Sequence, residues 1–373
     1  MKFYPHKSMA LTKIFKSTLI ILPAPKNISL MWNLGSLLSL CLIIQIISGL
    51  MIAISYTTDL SYSFIITSKT MYIKEHTWFM RFIHANGASM FFMFLYIHTA
   101  RGLYFMSYEL NHTWNIGVTI LLLTMAAAFL GYALPVNQMS FWGASVITSL
   151  FSEIPYVGLN IVNLIWGGFS VSSLTIMRFF TFHFILPFII LALVALHITL
   201  LHETGSTSPM KKKTLNKLAF NPFFALKDLT GVIISLTLFM WLVLYYPIIL
   251  GDTDNFNPAN PSVTPHHIQP EWYFLFAYAI LRSVPNKLGG VIALVLAVVI
   301  LYLPPNLPST KMKGMTFYPM NTSLFWFFIF TVALLTWIGA HSVEPPYTVT
   351  GQIISALYFF YFLVFRLTLN IKS

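Results

Sequence analysis

Four histidines stand in apolar surroundings at matched intervals. His84 and His98 share one apolar run, His183 and His197 share another, and in each case the two are 14 residues apart. On an α-helix 14 residues advance about 21 Å and stop roughly 40° short of four turns, so both members of a pair lie on one helix face. They are too far apart to bind one metal. If the two helices run in the same direction, His84 faces His183 at one membrane level and His98 faces His197 at the other. Each cross-helix pair then offers two axial imidazoles to a haem iron and leaves no open position for oxygen, which suits electron transfer. The expected iron separation is about 21 Å. One such histidine is better explained by a hydrogen bond to a neighbouring helix, but four at equal spacing are not.

The same interval recurs in glycine. Gly35 and Gly49 lie 14 residues apart in one run, as do Gly117 and Gly131 in another. Glycine removes the side chain where a flat macrocycle lies against helix backbone, although single glycines in membrane helices also serve close packing. Arg81 and Arg178 shortly precede the first histidine of each run and Arg101 follows His98, positions suited to haem propionates and equally to ordinary interfacial arginines.

Two further groups have the chemistry of proton transfer. Pro270-Glu271-Trp272-Tyr273 leads through an apolar stretch to Tyr278 and Arg282, and Glu271 is its only acid. A carboxylate or tyrosine beside an apolar pocket can take the protons that quinol oxidation releases; the alternative for Glu271 is a carboxylate at a helix start. At the other membrane level, His202 follows soon after His197, and Lys227-Asp228 opens the next apolar run. A histidine and an acid there can deliver protons to a reduced quinone, whereas interfacial polarity alone would account for Lys227.

These residues must be held by membrane helices. Of 373 residues 57% are hydrophobic and 8% charged, which excludes a water-soluble globule. Apolar runs punctuated by Pro, Gly and charge predict eight spans, at about 30–54, 77–104, 114–134, 178–203, 229–248, 288–307, 321–341 and 349–369. The net charge of +11 is a topology signal, not a nucleic-acid footprint: with the N-terminus inside, 15 of the 21 Lys and Arg fall in inside segments. Both termini are therefore expected inside. The outside connections 55–76, 135–177 and 249–287 are long enough to carry function, and the second suits short helices lying at the interface. The single cysteine, Cys41, excludes an intrachain disulfide and a Cys-x-x-Cys-His haem attachment, so any haem is non-covalent. The lysine-bearing start lacks a compact apolar core with a cleavage site and reads as mature protein. The polar stretch 202–227 predicts a division into residues 1–210, a four-helix bundle holding two haems, and residues 211–373, an outer-site loop with four further helices.

The sequence closely resembles mitochondrial cytochrome b, the membrane core of ubiquinol:cytochrome c oxidoreductase (respiratory complex III), over nearly its whole length. The resemblance is carried by His84-Ala85-Asn86-Gly87-Ala88-Ser89 with His98 and Arg101-Gly102, by Gln138-Met139-Ser140-Phe141-Trp142-Gly143, by Arg178-Phe179-Phe180 through His183 to Pro187, by His202-Glu203-Thr204-Gly205, and by the Pro270 to Gly290 segment. It implies an all-α polytopic protein in the mitochondrial inner membrane, both termini on the matrix side. His84 and His183 would hold a low-potential outer b haem and His98 and His197 a high-potential inner one. Glu271 and Tyr278 would line an outer ubiquinol site, and Trp32, Ser36, His202, Lys227 and Asp228 would match inner-site positions. Tyr132 and Gly143 join the residues expected to contact cofactor or quinone.

The implied reaction is bifurcated: one quinol electron passes to an iron-sulfur partner and the other crosses both haems to an inner quinone, contributing to a proton gradient. Implied partners are the iron-sulfur protein, cytochrome c1, other complex III subunits and a second copy of the complex, within a lipid membrane and without nucleic acid. The related photosynthetic cytochrome splits this length into two chains and spaces the fourth-span histidines one residue wider, so the respiratory type fits better. One departure stands out: Val136-Asn137 follows Leu134-Pro135 where the family usually has Trp-Gly. Lys211-Lys212-Lys213 is a second, read as a solvated inner-side patch. A proton-relaying transporter or a structural subunit would need no cofactor and would be colourless.

Overall fold

Inside hydrocarbon every backbone N–H and C=O must be satisfied within the chain, so long apolar runs have helix as their available conformation. The computed structural model describes residues 20–73, 77–210, 216–307, 312 and 314–370, and α-helix is their main structure. The first half contains α1 (Leu34–Ala53), α2 (Leu60–Ile73), α3 (Thr77–Tyr104), α4 (Asn111–Ala133), α5 (Gln138–Ser149), α6 (Gly158–Trp166) and α7 (Ser173–Thr204). The second contains α8 (Phe223–Tyr245), α9 (Leu275–Ser283), α10 (Lys287–Val299), α11 (Pro319–Gly339) and α12 (Tyr347–Asn370).

Helices α1, α3, α4, α7, α8, α11 and α12 overlap seven of the eight expected spans, while α10 covers only the first part of 288–307 and gives way to 3-10 turns after Val299. Six stretches are long and apolar enough to cross a bilayer by composition alone, among them Asn111–Ala133 and Ser173–Thr204. The other two are α3, whose 28 residues are diluted by Arg81, His84, Asn86, His98 and Arg101, and the short Lys287–Tyr302. The chain is an all-α membrane protein.

Local sequence fixes the ends of the helices that carry the histidines. Helix α7 opens on a capping box in which Ser172 and Thr175 exchange side-chain and backbone hydrogen bonds, and Thr175 also donates to the Trp166 carbonyl at 2.8 Å. It runs through Pro187 and stops where Gly205 adopts φ 77°, a left-handed region open to glycine. Helix α5 opens on a second capping box, Asn137 with Ser140.

Helix α1 packs along α3 and α4 along α7, the pairings a four-helix bundle requires. Cys41, Leu42, Met90, Phe91, Ile120 and Ile190 form its apolar centre, joined by Phe239 and Val243 of α8. A larger core joins the other sides of α3 and α4, through Phe92, Leu95, Trp114 and Val118, to Ile280, Phe328, Leu335 and Phe362 of the C-terminal helices. The outward side of α7 shows Phe182, Phe188, Leu191 and Ile198, an apolar surface suited to lipid. An unforeseen element ties the segment before α1 to the segment before α8. Pro23–Pro25 pairs antiparallel with Lys217–Ala219, setting Ala24 opposite Leu218. The Lys211-Lys212-Lys213 run lies outside the described residues.

Candidate redox site

Helices α3 and α7 bring their histidines together in the expected order. The rings of His84 and His183 have centroids 6.2 Å apart and planes at 86°, and those of His98 and His197 are 6.4 Å apart at 59°. A metal–imidazole bond is about 2.0 Å and the ring centre lies about 1.1 Å behind the nitrogen, so two imidazoles trans across one iron have centroids about 6.2 Å apart. Both pairs fit six-coordinate haem iron on this measure.

The glycines settle against individual imidazoles. A Cβ on Gly49 would lie 3.0 Å from His84 Cε1, and one on Gly117 3.2 Å from His197 Cε1. At Gly131 it would overlap the His183 ring, at 2.8 Å from Nδ1, while at Gly35 it would sit in ordinary contact 3.9 Å from His98 Cε1. Each glycine on α1 or α4 thus faces one histidine, so that the sequence interval of the glycines repeats that of the histidines because the two helix pairs run side by side.

The Nδ1 atoms are treated unequally. His84 Nδ1 lies 2.9 Å from Ser48 Oγ, and His183 Nδ1 lies 2.8 Å from the Ala127 carbonyl. Carbonyl and hydroxyl partners at Nδ1 leave Nε2 as the nitrogen through which each ring would hold iron. At the inner level Arg101 Nη2 lies 3.2 Å from His98 Nδ1, and His197 Nδ1 is enclosed without a hydrogen bond.

The three arginines have different surroundings. Arg101 stacks over Trp32, 5.3 Å from the ring centroid, with its Nε buried and unpaired, and Trp32 Nε1 is likewise buried and unpaired. Two orphaned donors side by side are what an anionic or carbonyl-bearing ligand would satisfy. Arg81 Nη1 reaches the Thr67 carbonyl at 3.3 Å and Met71 Sδ at 2.9 Å. Arg178 bonds the Leu164 and Ile165 carbonyls at the end of α6 and so holds the outer loop.

Near the His84–His183 pair, Tyr132, next to Gly131, places its hydroxyl between Asn255 Oδ1, at 3.2 Å, and the Glu271 carboxyl. Glu271 occupies the N-cap position of the short helical turn Trp272–Phe274, at a helix start, but its side chain makes no capping hydrogen bond. Enclosure raises its carboxyl from 4.5 to about 7; its own backbone amide and Tyr132 pull the other way, and Asp252 adds to the rise. Tyr278 donates to the Ile268 carbonyl at 3.1 Å, under the Arg282 guanidinium 4.6 Å from its ring. Gly143 faces open space.

Val136 adopts φ 51°, unusual for a β-branched residue, and is buried. Around it Gln138 Nε2 donates to the Val263 carbonyl at 2.6 Å, and Gln138 Oε1 accepts from the Asn260 amide at 2.7 Å. The departure from Trp-Gly thus forms a strained turn followed by an asparagine cap, pinned to the loop before Glu271.

At the expected inner side, Ser36 Oγ donates to the Asn33 carbonyl at 2.8 Å beside the Asp228 carboxylate, Asn33 Nδ2 donates to the Lys227 carbonyl at 2.6 Å, and Lys227 Nζ donates to the Ile28 carbonyl at 2.7 Å. Trp32, Ser36, Lys227 and Asp228 come together, while His202, half-exposed in the last turn of α7, has no bond to them among the described residues. Residue patterns alone did not single out Ser48, Ala127, Asn255 or Asp252. Ser48 was visible as a hydroxyl immediately before Gly49; the Ala127 contribution is backbone and leaves no trace in residue type.

An all-α bundle that sets two histidine pairs one above the other defines a helical membrane protein with paired, buried imidazoles. Residues 19–205 match the family described as cytochrome b/b6/petB, and residues 258–359 match its C-terminal counterpart, cytochrome b(C-terminal)/b6/petD. The structure is similar to a chain of "Hyperthermophilic respiratory Complex III", with a TM-score of 0.91 and 29% identity over 98% of each chain. The chain belongs to the cytochrome b family. It is an integral membrane subunit of a multi-subunit redox complex, binds b-type haem and takes part in quinol-oxidising electron transfer.

Proposed function

We propose that the chain is the catalytic membrane subunit of a ubiquinol:cytochrome c oxidoreductase, oxidising quinol at an outer site and reducing quinone at an inner one. Two histidine pairs, each at the ring separation of a bis-imidazole iron, carry the reading. His84 and His183 hold the outer, low-potential haem and His98 and His197 the inner, high-potential one. When bound, the haems supply one-electron carriers separated by about four helical turns, roughly 21 Å by helix rise.

The chain's own residues handle protons. Glu271, raised to about 7, is part ionised near neutrality and can accept a proton from quinol, with Tyr132 against its carboxyl and Tyr278 on the same outer segment. Gly143 leaves open space on the surface of α5 for the ring of a substrate. At the inner side Asp228 and His202 deliver protons, Ser36 lies beside the Asp228 carboxylate, Trp32 offers an unpaired donor, and Lys227 holds the Ile28 carbonyl. Arg101 answers the propionates of the inner haem and Arg81 and Arg178 those of the outer one, while Gly35, Gly49, Gly117 and Gly131 clear the ligand rings.

The division into a haem-holding part, 1–210, and a part bearing the outer-site loop, 211–373, follows these roles. An iron-sulfur protein would take the first quinol electron and pass it to cytochrome c1, within a dimeric complex of the mitochondrial inner membrane. The excess of Lys and Arg in segments on the side of the termini supports a matrix location for both ends. A reduced-minus-oxidised spectrum of the purified complex tests the reading: two b-type haem signals per chain are expected, and their absence would remove the electron-transfer role.

A further inference from the structure

Helix α1 meets His84 with three consecutive contacts on one face. Gln45 Nε2 donates to the His84 carbonyl at 3.0 Å, Ser48 Oγ lies 2.9 Å from His84 Nδ1, and Gly49 clears the ring. Residues 45, 48 and 49 follow the i, i+3, i+4 pattern that aligns side chains along a helix. Gly87 makes the first contact possible, since a Cβ there would collide with the Gln45 amide. Asn86 secures the same turn of α3 by donating to the Pro247 carbonyl at 2.9 Å.

The direction of the Ser48 bond is fixed by its neighbours. The Ser48 hydroxyl spends its hydrogen on the Ile44 carbonyl at 2.6 Å, so its lone pairs face His84 and the imidazole must be the donor. Nδ1 then carries the proton and Nε2 is free for a metal. Of the four Nδ1 atoms, only that of His84 meets a side-chain hydroxyl among the described residues: His183 meets the Ala127 carbonyl, His98 faces a guanidinium and His197 is unpaired.

We propose that Ser48 is a positioning residue for the outer haem, holding His84 as the Nδ1–H tautomer and setting the electron-donating strength of that ligand. An imidazole that donates at Nδ1 is a stronger base at Nε2 and favours the ferric state. Loss of the hydroxyl therefore shifts the outer haem toward the ferrous state and leaves the inner haem unmoved. The proposal rests on His84 and His183 being the outer ligands, as argued above.

The test uses the intact membrane complex carrying Ser48→Thr, Ser48→Val or Ser48→Ala, with haem content and redox titration of each b haem as readouts. Threonine and valine share a shape and differ in the hydroxyl. Val and Ala are expected to move one haem's ferric/ferrous equilibrium about threefold to tenfold toward ferrous, roughly 30–60 mV at 59 mV per decade, or to lose that haem, while Thr behaves as the parent. If Val and Thr behave alike, or both haems move together, the role of the hydroxyl is overturned. A parent complex without two b haems would instead overturn the ligand assignment on which the proposal rests.

Discussion

Adding one methyl group at each of the four glycines should produce a graded and level-specific loss of haem. At Gly131 a Cβ would stand 2.8 Å from His183 Nδ1 and 2.9 Å from Nε2, and the ring is held in place by the 2.8 Å bond to Ala127. Overpacking typically costs 1–3 kcal/mol and a broken hydrogen bond about 1 kcal/mol more, so Gly131→Ala should weaken outer haem binding by about 2–4 kcal/mol. At 1.4 kcal/mol per decade that is roughly 30-fold to 700-fold in affinity.

The other three positions should form a series. Gly49→Ala, 3.0 Å from His84 Cε1 with the ring fastened to Ser48, should cost about 1–2 kcal/mol at the same haem. Gly117→Ala meets His197 at 3.2 Å, a looser contact than Gly131 makes with His183, so the inner haem should lose about 1 kcal/mol or less. Gly35→Ala, at 3.9 Å from His98, should be nearly neutral. Haem content and difference spectra of the purified complexes measure the series. Equal losses at all four positions would show that the glycines clear the macrocycle and not the ligand ring. Loss of the inner haem from Gly131→Ala would refute the pairing itself.

Other consequences are expected at the same sites. Singly replacing His84 should remove only the outer haem signal and replacing His98 only the inner one, read by redox-resolved absorbance. Glu271→Gln should slow quinol oxidation more than inner quinone reduction and abolish a rise in oxidation rate with pH centred near 7, measured as half-reactions across pH 5.5–8.5. Because the folded pKa of Glu271 is raised, its ionisation opposes folding. The cost grows between about 4.5 and about 7, reaching about 3 kcal/mol above that window by linkage, so Glu271→Gln should be more heat-stable than the parent above pH 7 and no better at pH 4.5. Asn137→Ala removes a cap and a buried hydrogen bond, costing about 1–2 kcal/mol at the start of α5. It should slow quinol oxidation with both haems retained, and loss of either haem would contradict a role confined to the outer loop.

The sequence by itself determined most of the spans and the order in which the four histidines pair. Hydrocarbon leaves helix as the available conformation for a run of some 20 apolar residues, and a helix converts an interval of 14 residues into a fixed height on one face. His84 with His183 and His98 with His197 needed no further information, because both intervals are equal and both helices run in the same direction. Membership of the cytochrome b family was legible in the His84–Ser89, Gln138–Gly143 and Pro270–Gly290 segments. The ribbon between Pro23–Pro25 and Lys217–Ala219 was not, since pairing across nearly 200 residues leaves no local pattern.

Tertiary structure decided what surrounds each ligand. Which helix presents which atom to Nδ1 depends on rotation and lateral offset between α1 and α3 and between α4 and α7, and neither follows from spacing. Hence Ser48 at His84 and the Ala127 carbonyl at His183 emerge only in three dimensions, the latter because a backbone oxygen is present at every residue and is selected by position alone. The glycines changed meaning in the same way: the sequence offered them as room for a macrocycle, and packing set each against one imidazole. Glu271 was legible as an acid in an apolar segment, but its shift to about 7 needed the enclosing loop that Val136, Asn137 and Gln138 fasten from 120 residues away.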